Sequence, residues 1–177
     1  MTMSIQELFG IDVPIVLGPF GGVSSVALTA AVSNAGGLGS YGLYGYTAER
    51  IAETAAQLRA ATDKPINLNL WWPTGDEAEP ADVDWDAAFG GVAPFYAEAG
   101  LDLPARPEHF LPPFDEQLAV VEARPTVASF VYGVPDAVAI EALHAVGARV
   151  VGTATNVAEA RALAAGGVDA IIASGME

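Results

Sequence analysis

One stretch of the sequence, residues 11–46, limits the fold more than any other. A short apolar strand, a glycine-rich loop, a helix, a glycine-containing stop and a second strand follow one another there. Their predicted positions are Val13 to Leu17, Gly18 to Gly22, Val26 to Ser33, Asn34 to Gly36 and Leu38 to Leu43. Ser24 and Ser25 are candidates for the residue that caps the helix. This order predicts a βαβ unit, whose two strands lie parallel.

The alternation of strands and helices continues along the rest of the chain. Further apolar runs predict four more strands, over residues 66–72, 126–131, 148–151 and 168–173. Predicted helices cover residues 5–9, 48–61, 85–99, 114–122, 136–146 and 157–165. Continuous apolar runs are typical of parallel strands that are buried on both faces. The pattern fits either a doubly wound sheet or a (β/α)8 barrel, and six strands are two fewer than a barrel requires.

The composition predicts one compact globular domain over residues 1–177. Of the 177 residues, 52% are hydrophobic and 16% are charged, which is enough apolar material for one core. The formal net charge is −15. A nucleic-acid-binding role is therefore excluded, because contacts to phosphates require clustered lysine and arginine. The absence of cysteine from the sequence excludes disulfides and thiolate chemistry.

The sequence also predicts a cytoplasmic protein. No apolar run approaches the roughly 20 residues that a membrane-spanning helix needs. The first ten residues, MTMSIQELFG, lack the charged and then apolar pattern of a signal peptide. The cytoplasm is the expected location for a chain with these properties.

An acidic insertion, residues 73–113, interrupts the alternation after the third predicted strand. Between Asp76 and Glu116 the chain carries eleven acidic residues and one base, Arg106. The insertion is also rich in proline and aromatic residues. Loops of this length in a compact domain are usually functional or disordered. Two interpretations remain open: a solvated surface insertion, or a lid or docking surface that folds over one mouth of the domain.

Two features suggest sites that their sequence context does not support. Residues 37–42 match G-x-G-x-x-G, but the dinucleotide-binding motif follows a strand and opens a helix, whereas this match follows a helix and lies along a strand. His109 lies in the insertion and His144 lies inside a helix, and neither has partners at metal-ligand spacing. We therefore predict no metal site and structural roles for both histidines.

Glycines and polar or aromatic residues gather at the carboxyl-terminal ends of the predicted strands. They are Gly18, Pro19, Phe20, Asn69, Ser129, Tyr132, Gly133, Gly152, Thr153, Ser174 and Gly175. In an α/β barrel these ends form the one face on which catalytic loops meet. Asn67 and Asn69 share a face of their strand, where they serve either as structural amides or as ligand contacts. The residues alone predict a small-molecule site on an α/β domain.

Several motifs together resemble the nitronate monooxygenase family. They are PIVLGPFGGVSS, AAVSNAGGLGS, INLNLW, ASFVYGVP and GARVVGTATNVAEARALAAGGVDAIIASGME. They follow one another in family order across essentially the whole chain. Members of this family, formerly called 2-nitropropane dioxygenases, are FMN-dependent enzymes with a (β/α)8 barrel. The resemblance therefore implies a TIM-type barrel with a flavin cofactor.

The resemblance also implies where FMN binds and what it does. The backbone of Gly18, Pro19 and Phe20 is expected to pass along the flavin ring, and Asn69 is expected to hydrogen-bond one edge of it. The other expected contacts line the same mouth of the barrel: Gly152, Thr153, Ser174 and Gly175. The implied reaction is the oxidation of an alkyl nitronate by O2, which gives a carbonyl compound and nitrite.

The chain departs from the family pattern in two respects. Family members continue after the equivalent of SGME into the sequence AGGHRG, whose histidine acts in catalysis, and then add two strands whose loops bind the FMN phosphate. That histidine is expected beyond Glu177, so we assign no catalytic residue within the chain. Ser174 stands where a glutamine is common in the family. The expectation is a truncated barrel of about six βα units.

Three functions remain open at this point. The first is an FMN-dependent, nitronate monooxygenase-like oxidoreductase that acts on a small nitronate and O2. The second is a flavin-dependent enoyl-acyl-carrier-protein reductase, which resembles the first in its barrel. The third is an inactive fragment that needs a partner chain. Because the outermost strands would be unpaired edges, both a homo-oligomer and a completing chain are left open.

Overall fold

The computed structural model describes residues 3–175, which form a parallel sheet of five strands. The strands are β1 (Gly39–Gly42), β2 (Ile66–Trp71), β3 (Val127–Val131), β4 (Arg149–Ala154) and β5 (Ala170–Ala173), and they lie side by side in that order. A doubly wound sheet reverses its strand order at a switch point, and this sheet does not. It is the wall of a partial TIM-type barrel, which confirms the predicted fold class. Met176 and Glu177 of the SGME motif lie outside the described residues.

Eight α-helices and two short 3-10 helices accompany the strands within residues 3–175. The α-helices are α1 (Ile5–Phe9), α2 (Val26–Asn34), α3 (Ala48–Ala61), α4 (Trp85–Gly90), α5 (Ala93–Glu98), α6 (Phe114–Gln117), α7 (Ala137–Ala145) and α8 (Val157–Gly166). The 3-10 helices span Pro80–Asp82 and Leu118–Val120. Ser25, Thr47 and Asp84 cap α2, α3 and α4 through their side-chain oxygens, and Ser25 is one of the two predicted candidates. In the described part of the chain, no helix has both the length and the apolar character to cross a membrane.

The first predicted strand, Val13 to Leu17, is not a regular strand. It pairs with the chain before β1 through a single parallel bridge, between Val16 and Leu38. The N–H groups of Asp12 and Val13 both donate to the carbonyl oxygen of Gly36, so the chain does not form an evenly spaced ladder here. Pro14 has no N–H to contribute. The direction of the pairing is the predicted one, but six predicted strands become five and a bridge.

Two predicted helices are broken in the structure. The helix expected over residues 85–99 is two helices, α4 and α5, that are separated at Gly91 and Val92. Pro94 lies in the first turn of α5, where its missing N–H costs nothing. Glycine followed by this proline explains the break. The helix expected over residues 114–122 tightens after one turn of α6 into the second 3-10 helix.

The larger apolar core lies between the sheet and the helices that surround it. It is built from fully buried strand and helix residues, among them Leu68, Leu70, Phe130, Val150, Ile51, Leu58 and Leu143. A smaller cluster fills the amino-terminal end of the opposite, concave face, where Phe9 and Ile11 pack against Leu38, Val127 and Val151. The α1 segment therefore closes the bottom of the concave face. The carboxyl-terminal end of that face carries no such plug within residues 3–175.

Asp169, immediately before β5, joins three groups at the amino-terminal end of the sheet. Its carboxylate accepts hydrogen bonds from His144 Nε2 at 2.8 Å, Arg149 Nη1 at 2.9 Å and the Val150 N–H at 2.8 Å. Partial burial raises the pKa of this carboxyl group, but the three hydrogen bonds outweigh burial and hold the pKa of Asp169 below its ordinary value. His144 thus has a structural partner at the end of the sheet opposite the strand carboxyl ends.

We expect Asp169→Asn to lower the free energy of unfolding by about 1 kcal/mol at neutral pH, because charge-assisted hydrogen bonds are lost. Since folding lowers the pKa of Asp169, its contribution is present above the ordinary carboxylate pKa and is lost as the pH falls through the lower, folded-state value. Urea unfolding of both proteins at several pH values measures this. Asp102→Asn, at an exposed position, is the control. A stability difference that persists unchanged to about pH 3, below the ordinary aspartate pKa, would contradict the role of charge.

Candidate functional site

A layer of polar side chains crosses the concave face of β1 to β3. The strand register places Ser40 beside Asn67 and Asn69 beside Ser129, so these four side chains share that face. Asn67 Nδ2 donates to Ser40 Oγ at 3.1 Å. Asn69 Nδ2 donates to Ser129 Oγ at 2.9 Å and to the Ser129 carbonyl oxygen at 3.1 Å. None of the four residues is more than 4% exposed, so they form a buried polar floor above the lower apolar cluster.

The two asparagines of this polar floor have acceptor capacity to spare. Asn67 Oδ1 is buried and has no partner among the described residues. Asn69 Nδ2 donates to both oxygens of Ser129, and no donor within residues 3–175 reaches Asn69 Oδ1, which is less deeply buried than Asn67 Oδ1. A buried carbonyl oxygen without a donor is costly. The floor is therefore suited to a ligand that brings N–H groups to the concave face.

The glycine-rich loop, residues 18–22, is held over the end of β1 by Ser24. The Ser24 hydroxyl donates to the Phe20 carbonyl oxygen at 2.8 Å and accepts from the Gly42 N–H at 3.1 Å. Gly42 makes this approach possible, since a Cβ there would lie 3.1 Å from the Gly21 nitrogen and 3.2 Å from the Pro19 oxygen. The N–H groups of Gly21 and Gly22 donate to no group in the described chain. The loop thus presents free amides beside the exposed ring of Phe20.

The remaining expected contacts lie at the carboxyl-terminal ends of β4 and β5. Thr153 is half-buried and shares the concave face with Val151. A side chain at Gly152 would instead lie on the outer face of the sheet. A Cβ there would overlap the side chain of Leu163, so the glycine lets α8 approach the sheet. Only the backbone of Gly152 is available to the mouth. Ser174 and Gly175 follow β5 at the same edge and are exposed.

A cavity of about 570 Å³, here called the insertion cavity, opens between the ends of β1 to β3 and the acidic insertion. Trp71, at the end of β2, stacks on Tyr44 with 3.6 Å between ring centroids and forms a T-shaped pair with Tyr132 at a centroid distance of 4.7 Å. These three aromatic residues form the wall toward the strand ends. From the insertion and the chain that follows it come Glu77, Glu79, His109, Phe110, Phe114 and Gln117.

The side chains of the concave face can bind and orient a ligand. The polar side chains of this face are amides and hydroxyls, which form hydrogen bonds but do not act as acids or bases near neutral pH. His144 lies at the opposite end of the sheet, and His109 lies in the insertion cavity, 3.3 Å from Glu79 Oε2. Within residues 3–175, no three His, Asp or Glu side chains are close enough together to hold a metal ion.

Sequence reasoning missed several residues that shape this region. Ser24 was a candidate helix cap, but Ser25 caps α2 and leaves Ser24 to fasten the loop. The consecutive serines were a usable signal, because a helix needs only one cap. Gln117 carried no such signal. Its importance depends on the long-range packing of the insertion, which no local pattern encodes.

Comparisons with known proteins agree on one family. The nitronate monooxygenase family model matches residues 3–177. A nitronate monooxygenase from Pseudomonas aeruginosa is 40% identical over 182 residues, a match that covers 100% of this chain and 51% of that protein. A nitronate monooxygenase from Paraburkholderia phytofirmans is 39% identical and is matched over 98% of this chain and 48% of its own length. The chain therefore spans about half the length of these curated relatives.

Two solved structures share the fold of this chain. A nitroalkane oxidase from Streptomyces ansochromogenes superimposes with a TM-score of 0.79 at 31% identity, covering 97% of this chain and 48% of that one. FabK from Thermotoga maritima superimposes with a TM-score of 0.70 at 25% identity, covering 97% and 43%. In sequence and in fold, over nearly all of its residues, the chain belongs to the nitronate monooxygenase family.

Proposed function

We propose that this chain forms the flavin-ring side of an FMN-dependent oxidoreductase that oxidises alkyl nitronates with O2. One observation carries the proposal: Asn69 of the buried polar floor pairs in register with Gly42, over which Ser24 fastens the glycine-rich loop. Both lie at the carboxyl-terminal mouth of the sheet, where barrel enzymes bind their ligands. The names of the relatives support nitronates as the substrate class.

The residues present fit the ring of FMN. A flavin ring has a flat face and an edge of carbonyl and imino groups. The free amides of Gly21 and Gly22 match the carbonyl groups, and Asn69 Oδ1, to which no described residue donates, matches the N–H groups. Within residues 3–175, no arginine or lysine lines the insertion cavity. As the family resemblance implies, the phosphate group is expected to bind to loops in the part of the relatives' length that this chain does not span.

Each residue of the mouth then has a stated role. The loop at Gly18, Pro19 and Phe20 covers one side of the ring, and Ser24 fixes its distance from β1. Asn69 holds the ring edge, while Ser129 fixes the orientation of the Asn69 amide by accepting from Nδ2 with both of its oxygens. Thr153, Ser174 and the backbone of Gly152 and Gly175 border the far side. Bound FMN would supply the electron transfer between nitronate and O2 that yields the carbonyl compound and nitrite.

We expect Asn69→Ala to weaken FMN binding about tenfold, because one buried hydrogen-bond partner of the ring, worth about 1.4 kcal/mol, is lost. Titration of the purified chain with FMN, followed by the visible absorption and flavin fluorescence, measures this. Asn34→Ala, which removes an asparagine that bonds to Thr62 on the outer side, is the control. Equal affinity of Asn69→Ala and the unmodified chain would remove Asn69 from the site.

The same preparation distinguishes the three functions. Consumption of nitronate and O2 supports the proposal. Oxidation of NADH in the presence of an enoyl thioester would support the reductase instead. A chain that retains no flavin after incubation with excess FMN and gel filtration, and that turns over neither substrate, would be the inactive fragment. Its completing chain would then appear by co-purification.

A further inference from the structure

Three of the chain's seven basic residues line a second cavity, here called the basic pocket. Arg59 lies in the last turn of α3, Lys64 lies just before β2, and Arg124 lies just before β3. The volume of the pocket is about 360 Å³, within the range of small-molecule sites, roughly 300–1,000 Å³. It lies at the amino-terminal ends of these strands, opposite the mouth. The basic pocket is therefore separate from the proposed flavin site.

The charge of the basic pocket is opposite to that of the whole chain. Its lining carries three cations and one carboxylate, Asp63, whereas the formal net charge of the chain is −15. Glu122, another acid close along the chain, does not line it. Within residues 3–175, none of the three cations forms an ion pair with Asp63 or with any other acid. Like charges that share a pocket repel one another, and a bound anion would relieve that repulsion.

Arg124 is held in an unusual backbone conformation beside the pocket. Its φ is +46°, in the left-handed region that residues other than glycine seldom adopt. Its N–H donates to the Val121 carbonyl oxygen at 3.1 Å, and Pro125 follows it with a fixed φ. Strained residues of this kind cluster at ligand-binding sites. A turn with only a structural role would favour glycine at this position.

Arg59 connects α3 to the loop that carries Arg124. Its Nη2 donates to the Ala123 carbonyl oxygen, which leaves other guanidinium N–H groups available to a ligand. Thr126, which is half-buried, adds a hydroxyl to the lining. Guanidinium groups bind phosphate oxygens through pairs of parallel hydrogen bonds, and a lysine adds a point charge. The lining therefore has the donors that a phosphate group requires.

We propose that the basic pocket binds a small phosphate monoester. Three cations and one carboxylate leave a formal charge of +2, which matches a phosphate monoester dianion better than a carboxylate. The volume exceeds that of a phosphate ion and leaves room for a small organic part. A long polyanion such as nucleic acid is excluded, because the chain as a whole is strongly acidic. The proposal depends neither on flavin nor on nitronate.

Three matched probes test the proposal: glycerol 1-phosphate, glycerate, which carries a carboxylate instead, and uncharged glycerol. Calorimetric titration of the full chain at low ionic strength should show glycerol 1-phosphate binding about tenfold more tightly than glycerate, because its second charge gains a further charge-assisted partner. Added salt should weaken this binding, and glycerol should not bind. No binding of glycerol 1-phosphate, or equal affinity for glycerate, would overturn the proposal.

Single substitutions connect the binding to named residues. Arg124→Gln and Lys64→Gln should each lower the affinity for glycerol 1-phosphate about tenfold, since each removes one charged partner. Asp63→Asn should raise the affinity. Arg161→Gln, at an exposed position on α8, changes the net charge by the same amount as Arg124→Gln and should leave the affinity unchanged. Equal losses in Arg161→Gln and Arg124→Gln would mean that only the overall charge matters, and would overturn the pocket.

Arg124→Gly separates a loss of charge from a loss of fold. Glycine adopts a positive φ without strain, so the urea midpoint of this variant should equal or exceed that of the unmodified chain. Its affinity for glycerol 1-phosphate should still fall about tenfold. Retained affinity would mean that Arg124 serves only the turn, and would overturn its role in binding. Because no step requires flavin, failure of the proposed function and failure of this proposal are separate results.

Discussion

Gly39→Ala should destabilise the protein by about 3 kcal/mol, the upper range for forcing an extra methyl group into a packed interior. A Cβ at residue 39 would overlap the carbonyl oxygen of Thr29 and lie 2.5 Å from Ser33 Oγ. Both groups belong to α2, and Thr29 O is backbone, so no rotation of a side chain relieves the overlap. The helix must move away from β1.

That movement would also break two buried hydrogen bonds. Ser33 Oγ accepts from the Gly39 N–H at 3.1 Å and donates to the Pro65 carbonyl oxygen at 2.8 Å. For a slope near 2 kcal/mol per molar urea, the unfolding midpoint should fall by about 1.5 M. Gly90→Ala is the matched control, because nothing lies within 4 Å of a Cβ built there. If both variants unfold at the same urea concentration, the close contact between α2 and β1 does not limit stability.

Phe130→Ala should have a comparable or larger effect, about 4 kcal/mol, because it removes the largest fully buried side chain of the larger apolar core. Phe130 is 0% exposed and forms a T-shaped pair with Trp72, with 5.8 Å between the ring centroids. Removal of the ring leaves a cavity between β3 and the helices. Phe130→Leu, which refills part of that volume, should recover more than half of the loss.

Phe95→Ala provides the comparison for this position, since Phe95 is 68% exposed. Its truncation should change the free energy of unfolding by less than about 0.5 kcal/mol, as for most surface substitutions. Urea unfolding followed by far-ultraviolet circular dichroism measures all three variants. A loss below about 1 kcal/mol for Phe130→Ala would mean that the core collapses around the missing ring.

The fold class was predictable because local signals agree with the global arrangement. Serine, threonine and aspartate caps mark where helices begin, and glycines at positive φ, such as Gly36 and Gly147, mark where they end. The prediction of a regular first strand was wrong. Pro14 has no N–H to donate, and the two hydrogen bonds that Gly36 accepts depend on how residues 11–38 meet in space. Gly91 and Pro94 indicated the split of the helix predicted over residues 85–99, but the strong helix formers around them favoured one continuous helix.

The candidate site was predictable only in outline. The position of Asn69 at a strand end indicated a polar residue at the mouth, and the structure places it there with Ser129. The contacts expected of Gly18, Pro19, Phe20, Gly152, Thr153, Ser174 and Gly175 with a cofactor stay predictions. The side of the strand that Gly152 faces depends on register, which the sequence around it does not reveal. The insertion cavity depends on long-range packing for the same reason.

The strand order has a consequence for how this protein folds. Every strand of the sheet pairs only with the strand made just before it or just after it, so each new βα unit meets an edge that is already present. The acidic insertion lengthens one of these steps, but the entropy of closing a loop grows slowly with its length. The sheet can therefore assemble from its amino-terminal end while the chain is still leaving the ribosome. In a closed barrel, only the pairing of the first strand with the last has to wait for the complete chain.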